Sequence, residues 1–130
     1  MSDASPKKKR PLWYNLSPLN LPLPGLVSIL HRISGALLFV FLLWLLYLLD
    51  ASLASAERFE ALKRVVAQPI AKVVLLALLW AYLHHYCAGI RFLLLDIDVG
   101  GDLATARATS IVVIALSLVL TAVIGWQLLW

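Results

Sequence analysis

Charged side chains are scarce in this chain. Only 14% of its 130 residues are Asp, Glu, Lys or Arg, whereas about 25% is usual in a soluble domain. The single cysteine, Cys87, excludes both an internal disulfide and a cysteine-ligated iron–sulfur cluster. There is also no glycine-rich fingerprint for a flavin or another dinucleotide. With 62% hydrophobic residues, the sequence is that of an integral membrane protein, and Cys87 is predicted to pack between helices.

Long uncharged runs predict three membrane-spanning helices, because a helix needs about 20 apolar residues to cross a hydrocarbon layer of roughly 30 Å. The expected fold is therefore all-α. Residues 1–25 are predicted to form a cytoplasmic N-terminal segment and residues 26–130 the membrane domain. The predicted spans are about 26–49, 69–95 and 106–130.

The connections and termini indicate an orientation. Residues 50–68 mix charges with apolar side chains at helical spacing, which predicts a short helix in the membrane interface. The basic cluster at 7–10 is followed by prolines rather than an apolar run, so it is not a signal peptide. Seven basic residues lie on the N-terminal side of the spans and four on the other. This asymmetry predicts a cytoplasmic N-terminus and a periplasmic C-terminus. Lipid is an expected partner and nucleic acid is not.

Two adjacent histidines, His84 and His85, lie inside or at the margin of the second span. Ionisable groups there are costly and usually functional, and imidazole is a common axial ligand of haem iron. A histidine that merely packs against a neighbouring helix is the alternative. Neighbouring side chains diverge by about 100°, so one macrocycle binds only one of them. His85 is favoured because small residues at positions 81, 88 and 89 flank it, whereas Trp80 obstructs His84. His84 is then structural, or it faces another subunit.

A second polar group, in the sequence SILHRISG, marks the beginning of the first span. Ser28, His31 and Arg32 share a helical face there. Taken alone, they are typical of a solvated interfacial group, since long basic side chains reach the headgroups. Spans one and two are antiparallel, so this group returns to the membrane side of Arg91. His85 precedes Arg91 by six residues, about 9 Å along a helix, which is similar to the offset between a haem iron and its propionates.

The stretches RPLWYNLSPLNLPLPGLVSILHRISG and HYCAGIRFLLLD resemble the signature sequences of the b-type cytochrome subunit of succinate dehydrogenase, respiratory complex II. This resemblance implies that His85 is an axial ligand of haem b. It implies that Ser28 and Arg32 help form the quinone site, and that His31 and Arg32 lie near the haem propionates. Phe92 stands where many members of the family have a histidine.

The resemblance also implies a four-subunit enzyme. A flavoprotein oxidises succinate, an iron–sulfur protein carries the electrons, and two small membrane subunits share haem b and reduce ubiquinone or another quinone. This chain would be one of those two, forming half of a helical bundle in a bacterial-type inner membrane. It would have no succinate chemistry and no catalytic residue of its own. A fumarate reductase anchor and a haem-free structural or assembly subunit stay open as alternatives.

Overall fold

The computed structural model describes residues 21–129, most of which belong to four α-helices. These are α1 (Leu23–Ala54), α2 (Ala56–Val66), α3 (Pro69–Asp96) and α4 (Leu103–Leu129). Helices α1, α3 and α4 are each long and apolar enough to cross a membrane. The predicted all-α membrane architecture is therefore confirmed. The N-terminal basic cluster and Trp130 lie outside the described residues.

Helix α1 is longer than the span that the sequence predicted. It has 32 residues, which corresponds to about 48 Å at 1.5 Å per residue and exceeds a hydrocarbon layer of roughly 30 Å. Pro22 precedes the helix in an extended conformation, and Pro24 lies in its first turn, where the missing N–H of a proline costs nothing. At least one end of α1 therefore extends beyond the hydrocarbon layer.

A short helix, α2, joins α1 to α3, as the spacing of its apolar residues predicted. The Ser55 hydroxyl caps α2 by accepting a 3.2 Å hydrogen bond from the backbone N–H of Arg58. Lys63 and Glu60 form a 2.7 Å ion pair on its polar face. None of the α2 residues is buried by the rest of the chain, which suits a helix resting on a membrane surface. The interfacial location itself stays a prediction.

Helix α3 makes extensive contacts with both α1 and α4. A stripe of small residues at helical spacing on α4 is buried in this packing; the stripe consists of Ser110, Ser117, Thr121 and Gly125. Each hydroxyl of the stripe donates to a carbonyl three or four residues earlier on α4. A Cβ added at Gly125 would collide with Leu76 of α3. Small residues therefore let the two helices approach closely.

A tight turn connects α3 to α4. Asp98 and Gly100 have positive φ angles of 61° and 82°, which reverse the chain within a few residues. The Asp102 carboxylate then caps α4 by accepting a 3.0 Å hydrogen bond from the backbone N–H of Thr105. Hydrogen bonds from the side chain and the backbone of Thr105 hold the pKa of the Asp102 carboxyl below its ordinary value. The carboxylate is therefore ionised at neutral pH, and its negative charge interacts favourably with the positive end of the α4 dipole.

Candidate functional site

Two of the predicted site residues meet where α1 packs against α3. The imidazole rings of His31 and His85 stack, with their centroids 4.1 Å apart and their planes at 9° to each other. Phe92, two turns beyond His85 on α3, lies against His31 with its ring centroid 5.1 Å away. The structure thus brings into contact two histidines that the sequence placed only in neighbouring helices.

The hydrogen bonds of His85 define which of its ring nitrogens carries the proton. Nδ1 lies 3.0 Å from the backbone carbonyl oxygen of His31 and 3.3 Å from the Ser34 hydroxyl. The Ser34 hydroxyl also donates a 2.9 Å hydrogen bond to the same carbonyl. Because a carbonyl oxygen only accepts, we assign the proton of neutral His85 to Nδ1. Nε2 then keeps its lone pair, which is the arrangement that a metal-binding imidazole requires.

Gly35 on α1 provides the space that the His85 ring occupies. A Cβ built at this position would lie 2.8 Å from Cε1 and 3.2 Å from Nδ1 of His85, well inside van der Waals contact. Gly89 is less tightly packed, since its Cβ would lie 3.7 Å from Nε2 of His31. Sequence analysis missed Gly35, although its place in the SILHRISG motif was the available signal.

The small residues of α3 do not form the open surface that the sequence argument assumed around His85. Ala81 and Ala88 are completely buried within the chain, and Ala88 belongs to a core cluster with Val27 and Val113. Their small size serves packing between helices. The surface that accommodates His85 is therefore on α1, at Gly35.

His84 points into the interior of the chain. Its side chain is 1% exposed, and its ring stacks on Trp80 with the centroids 5.3 Å apart. The predicted contact with Trp80 is confirmed. The alternative in which His84 faces another subunit is wrong, because this chain already encloses the ring. Neither ring nitrogen of His84 has a hydrogen-bond partner within residues 21–129.

Ser28 and Arg32 lie one turn apart near the start of α1. The Ser28 side chain is partly buried and Arg32 is exposed. Within the part of the chain that the structure describes, no side-chain hydrogen bond or ion pair involves either residue. His31 turns toward α3, whereas Arg32 turns away from the helices. The structure therefore separates Arg32 from the stacked histidines and leaves its guanidinium available to another molecule.

Arg91 is buried, whereas the sequence predicted that it would lie with the other charged side chains at the membrane interface. Its side chain is only 6% exposed, and Nε donates a 3.0 Å hydrogen bond to Oγ1 of Thr109. An η nitrogen lies 3.5 Å from the carbonyl oxygen of Ala106, and the guanidinium carbon lies 5.4 Å from the ring centroid of Phe92. Arg91 therefore ties α3 to α4.

The donor set limits what this chain can bind by itself. Among residues 21–129, no group of three or more His, Cys, Asp and Glu side chains is placed to hold a metal ion. The rings of His31 and His85 are stacked face to face, so they cannot point at one iron from opposite sides. Within the described residues, the stacked pair therefore does not form a bis-histidine site.

Within residues 21–129, three membrane-length helices that enclose a histidine pair indicate a small multi-pass membrane protein. Residues 6–124 match the family described as succinate dehydrogenase/fumarate reductase transmembrane subunit, and the chain therefore belongs to that family.

Similar proteins support the same assignment. Proteins from Coxiella burnetii, Paracoccus denitrificans and Rickettsia felis are each 32% identical to this chain, over 118, 120 and 122 residues. The matched regions cover 90%, 92% and 94% of this chain and 94%, 92% and 91% of those proteins, respectively. All three are named succinate dehydrogenase cytochrome b556 subunit. The resemblance inferred from the two motifs is confirmed, and so is the expected role as a membrane-anchor subunit of succinate dehydrogenase.

Proposed function

We propose that this chain provides one axial ligand of haem b, His85, and part of the quinone-reduction site, Ser28 and Arg32. The observation that carries the haem assignment is the 3.0 Å contact between His85 Nδ1 and the His31 carbonyl oxygen. This contact leaves Nε2 as the metal-binding nitrogen. The cytochrome name of the similar proteins supports a haem group, which supplies one-electron transfer when it is bound.

His31 and Arg32 are proposed as contacts of the haem propionates. Nε2 of His31 is buried without a hydrogen-bond partner within the described residues, and such an atom is costly unless the complete complex supplies one. Arg32 offers a planar guanidinium that binds a carboxylate through two hydrogen bonds. Phe92 packs against His31, so the ring that replaces the usual histidine contributes packing and no donor.

Ser28 and Arg32 are proposed to hold the quinone head group. Their donors have no partner among residues 21–129 and lie about one helical turn apart. The hydroxyl donates a hydrogen bond to a quinone carbonyl, and the guanidinium stabilises the negative charge that develops on oxygen during reduction. Because Arg32 is exposed, we expect neighbouring subunits to complete the pocket.

The proposed assembly is the one that the similarity to succinate dehydrogenase subunits implies. A second small membrane subunit supplies the opposite imidazole, an iron–sulfur subunit delivers electrons, and a flavoprotein oxidises succinate. The site lies toward the first turns of α1 and the last turns of α3. We place that side in the cytoplasm, where protons for quinone reduction are at hand, and the C-terminus in the periplasm of a bacterial-type inner membrane.

Substitution of the adjacent histidines tests the haem assignment. His85→Leu should abolish the sharp reduced α-band of low-spin haem b in the purified complex, because it removes the iron ligand. His84→Leu is the matched control and should leave the band largely intact, since His84 is enclosed beside Trp80. Reduced-minus-oxidised difference spectra measure both variants. Loss of haem in His84→Leu with retention in His85→Leu would show that the wrong histidine was chosen.

A further inference from the structure

The α1 segment that faces His85 makes three kinds of contact with its ring. The His31 carbonyl oxygen lies 3.0 Å from Nδ1, the Ser34 hydroxyl lies 3.3 Å from the same atom, and Gly35 leaves room for the ring edge. We propose that this segment, His31–Gly35, is a positioning device that sets the tautomer and the ring orientation of His85 for binding haem iron. The inference rests on the proposed function of His85 as an axial ligand.

The hydrogen bonds select one orientation of the imidazole. A 180° flip of the ring would put a carbon where Nδ1 now lies, and both short contacts would lose their polar atom. The Ser34 hydroxyl is fully buried and donates to the His31 carbonyl, so it fixes the position of the oxygen that accepts the hydrogen bond from Nδ1 of His85. An imidazole that donates through Nδ1 is also a more basic ligand at Nε2.

Gly35 sets where the ring can lie. The 2.8 Å distance between a Cβ at this position and Cε1 of His85 is too short for unbonded carbon atoms. The His31 ring stacks on the His85 ring and so restricts how far the His85 ring can move away from position 35. An alanine at position 35 must therefore displace the imidazole, and with it Nε2, the nitrogen that would bind the iron. Gly25 is also in α1, but its Cβ would make only ordinary contacts, at 3.6 Å or more.

The first test compares Gly35→Ala with Gly25→Ala in the complete complex. Gly35→Ala should lower the haem b content per complex at least twofold and change the g values of the remaining low-spin ferric haem. Gly25→Ala should change neither quantity, although it makes the same substitution in the same helix. A Gly35→Ala complex with normal haem content and normal g values would overturn the proposal.

The second test does not depend on how well Gly35→Ala folds. In a His85→Gly complex, added imidazole and 1-methylimidazole both have a nitrogen that binds iron, but only imidazole has an N–H for the His31 carbonyl. Imidazole should restore the low-spin spectrum at about a fivefold lower concentration, corresponding to about 1 kcal/mol for one hydrogen bond. The ratio of the two concentrations is divided by the ratio measured for free haem in the same detergent. Equal potency after this correction would overturn the role of the carbonyl.

The two proposals fail in different ways. Full retention of low-spin haem in His85→Gly without added ligand would remove His85 as the axial ligand, and the positioning device would fall with it. Loss of the low-spin spectrum in His85→Gly, together with an unchanged Gly35→Ala complex and equal potency of the two imidazoles, would leave the ligand assignment intact and reject only the positioning role of α1.

Discussion

Replacing Thr109 by valine should destabilise the packing of α3 on α4. Thr109 Oγ1 accepts a 3.0 Å hydrogen bond from Nε of Arg91, whose side chain is almost completely buried. A hydrogen bond to a charged group contributes about 1.5–3 kcal/mol in soluble proteins, but bonds between membrane helices average only about 0.6 kcal/mol. Arg91 also keeps its longer contact with the Ala106 carbonyl. We therefore expect Thr109→Val to lower the free energy of unfolding by about 1–2 kcal/mol.

Thr121→Val is the matched control on the same helix. The Thr121 hydroxyl is buried, but it donates only to the carbonyl of Ser117 on α4 itself, so its removal leaves no charged group unpaired. We expect an effect of at most about 0.5 kcal/mol. Titration with SDS in mixed micelles measures the free energy of unfolding of both variants. Tryptophan fluorescence follows the transition, and Trp80, which is stacked on His84, contributes to this signal. Equal effects of the two substitutions would refute the role assigned to the Arg91–Thr109 bond.

Two further predictions concern the ligands. The chain purified by itself with haem supplied should not form stoichiometric six-coordinate haem b, because His85 is the one axial ligand that we propose for it. An absorption spectrum that shows six-coordinate haem b in this sample would contradict a shared site. Ser28→Ala should slow succinate-to-quinone electron transfer about fivefold, the value of one hydrogen bond, while the haem spectrum stays unchanged. Arg32→Leu should slow it more, and Arg32→Lys should restore it in part because an ammonium lacks the planar fork. Normal quinone-reductase rates in both Ser28→Ala and Arg32→Leu would contradict the quinone site.

Much of the helical architecture could be predicted because it depends on local composition. Apolar runs without charge are long enough to span a membrane wherever they occur, and the stripe from Ser110 to Gly125 follows the helical period. The choice of His85 over His84 as the haem ligand rested on the same local reasoning, through the bulk of Trp80, and it stays a prediction. The stability of each helix in a membrane needs no distant partner, since its backbone bonds are internal.

The contacts that build the site could not be predicted in this way. The bond between Nδ1 of His85 and the His31 carbonyl joins positions 54 residues apart, and the bond between Arg91 and Thr109 joins positions 18 apart. Both depend on how two helices are rotated about their axes. Three apolar helices of low amphipathicity leave that rotation open, because nearly every face is hydrophobic enough to be buried. The sequence therefore did not predict that Arg91 turns to α4.

The polar groups of the chain divide between two sides of α3. Toward α4, the Arg91 guanidinium and the buried hydroxyls have partners within the chain, so this interface is closed. Toward α1, His85 Nδ1 is paired with the His31 carbonyl, but Nε2 of His31 is buried without a partner among the described residues, and the donors of Ser28 and Arg32 are unused there. Hydrocarbon offers no hydrogen bonds, so each unmet group carries a cost until another molecule satisfies it. Under the proposed function, the α1 side is therefore where we expect this chain to meet haem, quinone and a partner subunit, and the contacts with α4 hold α3 in place.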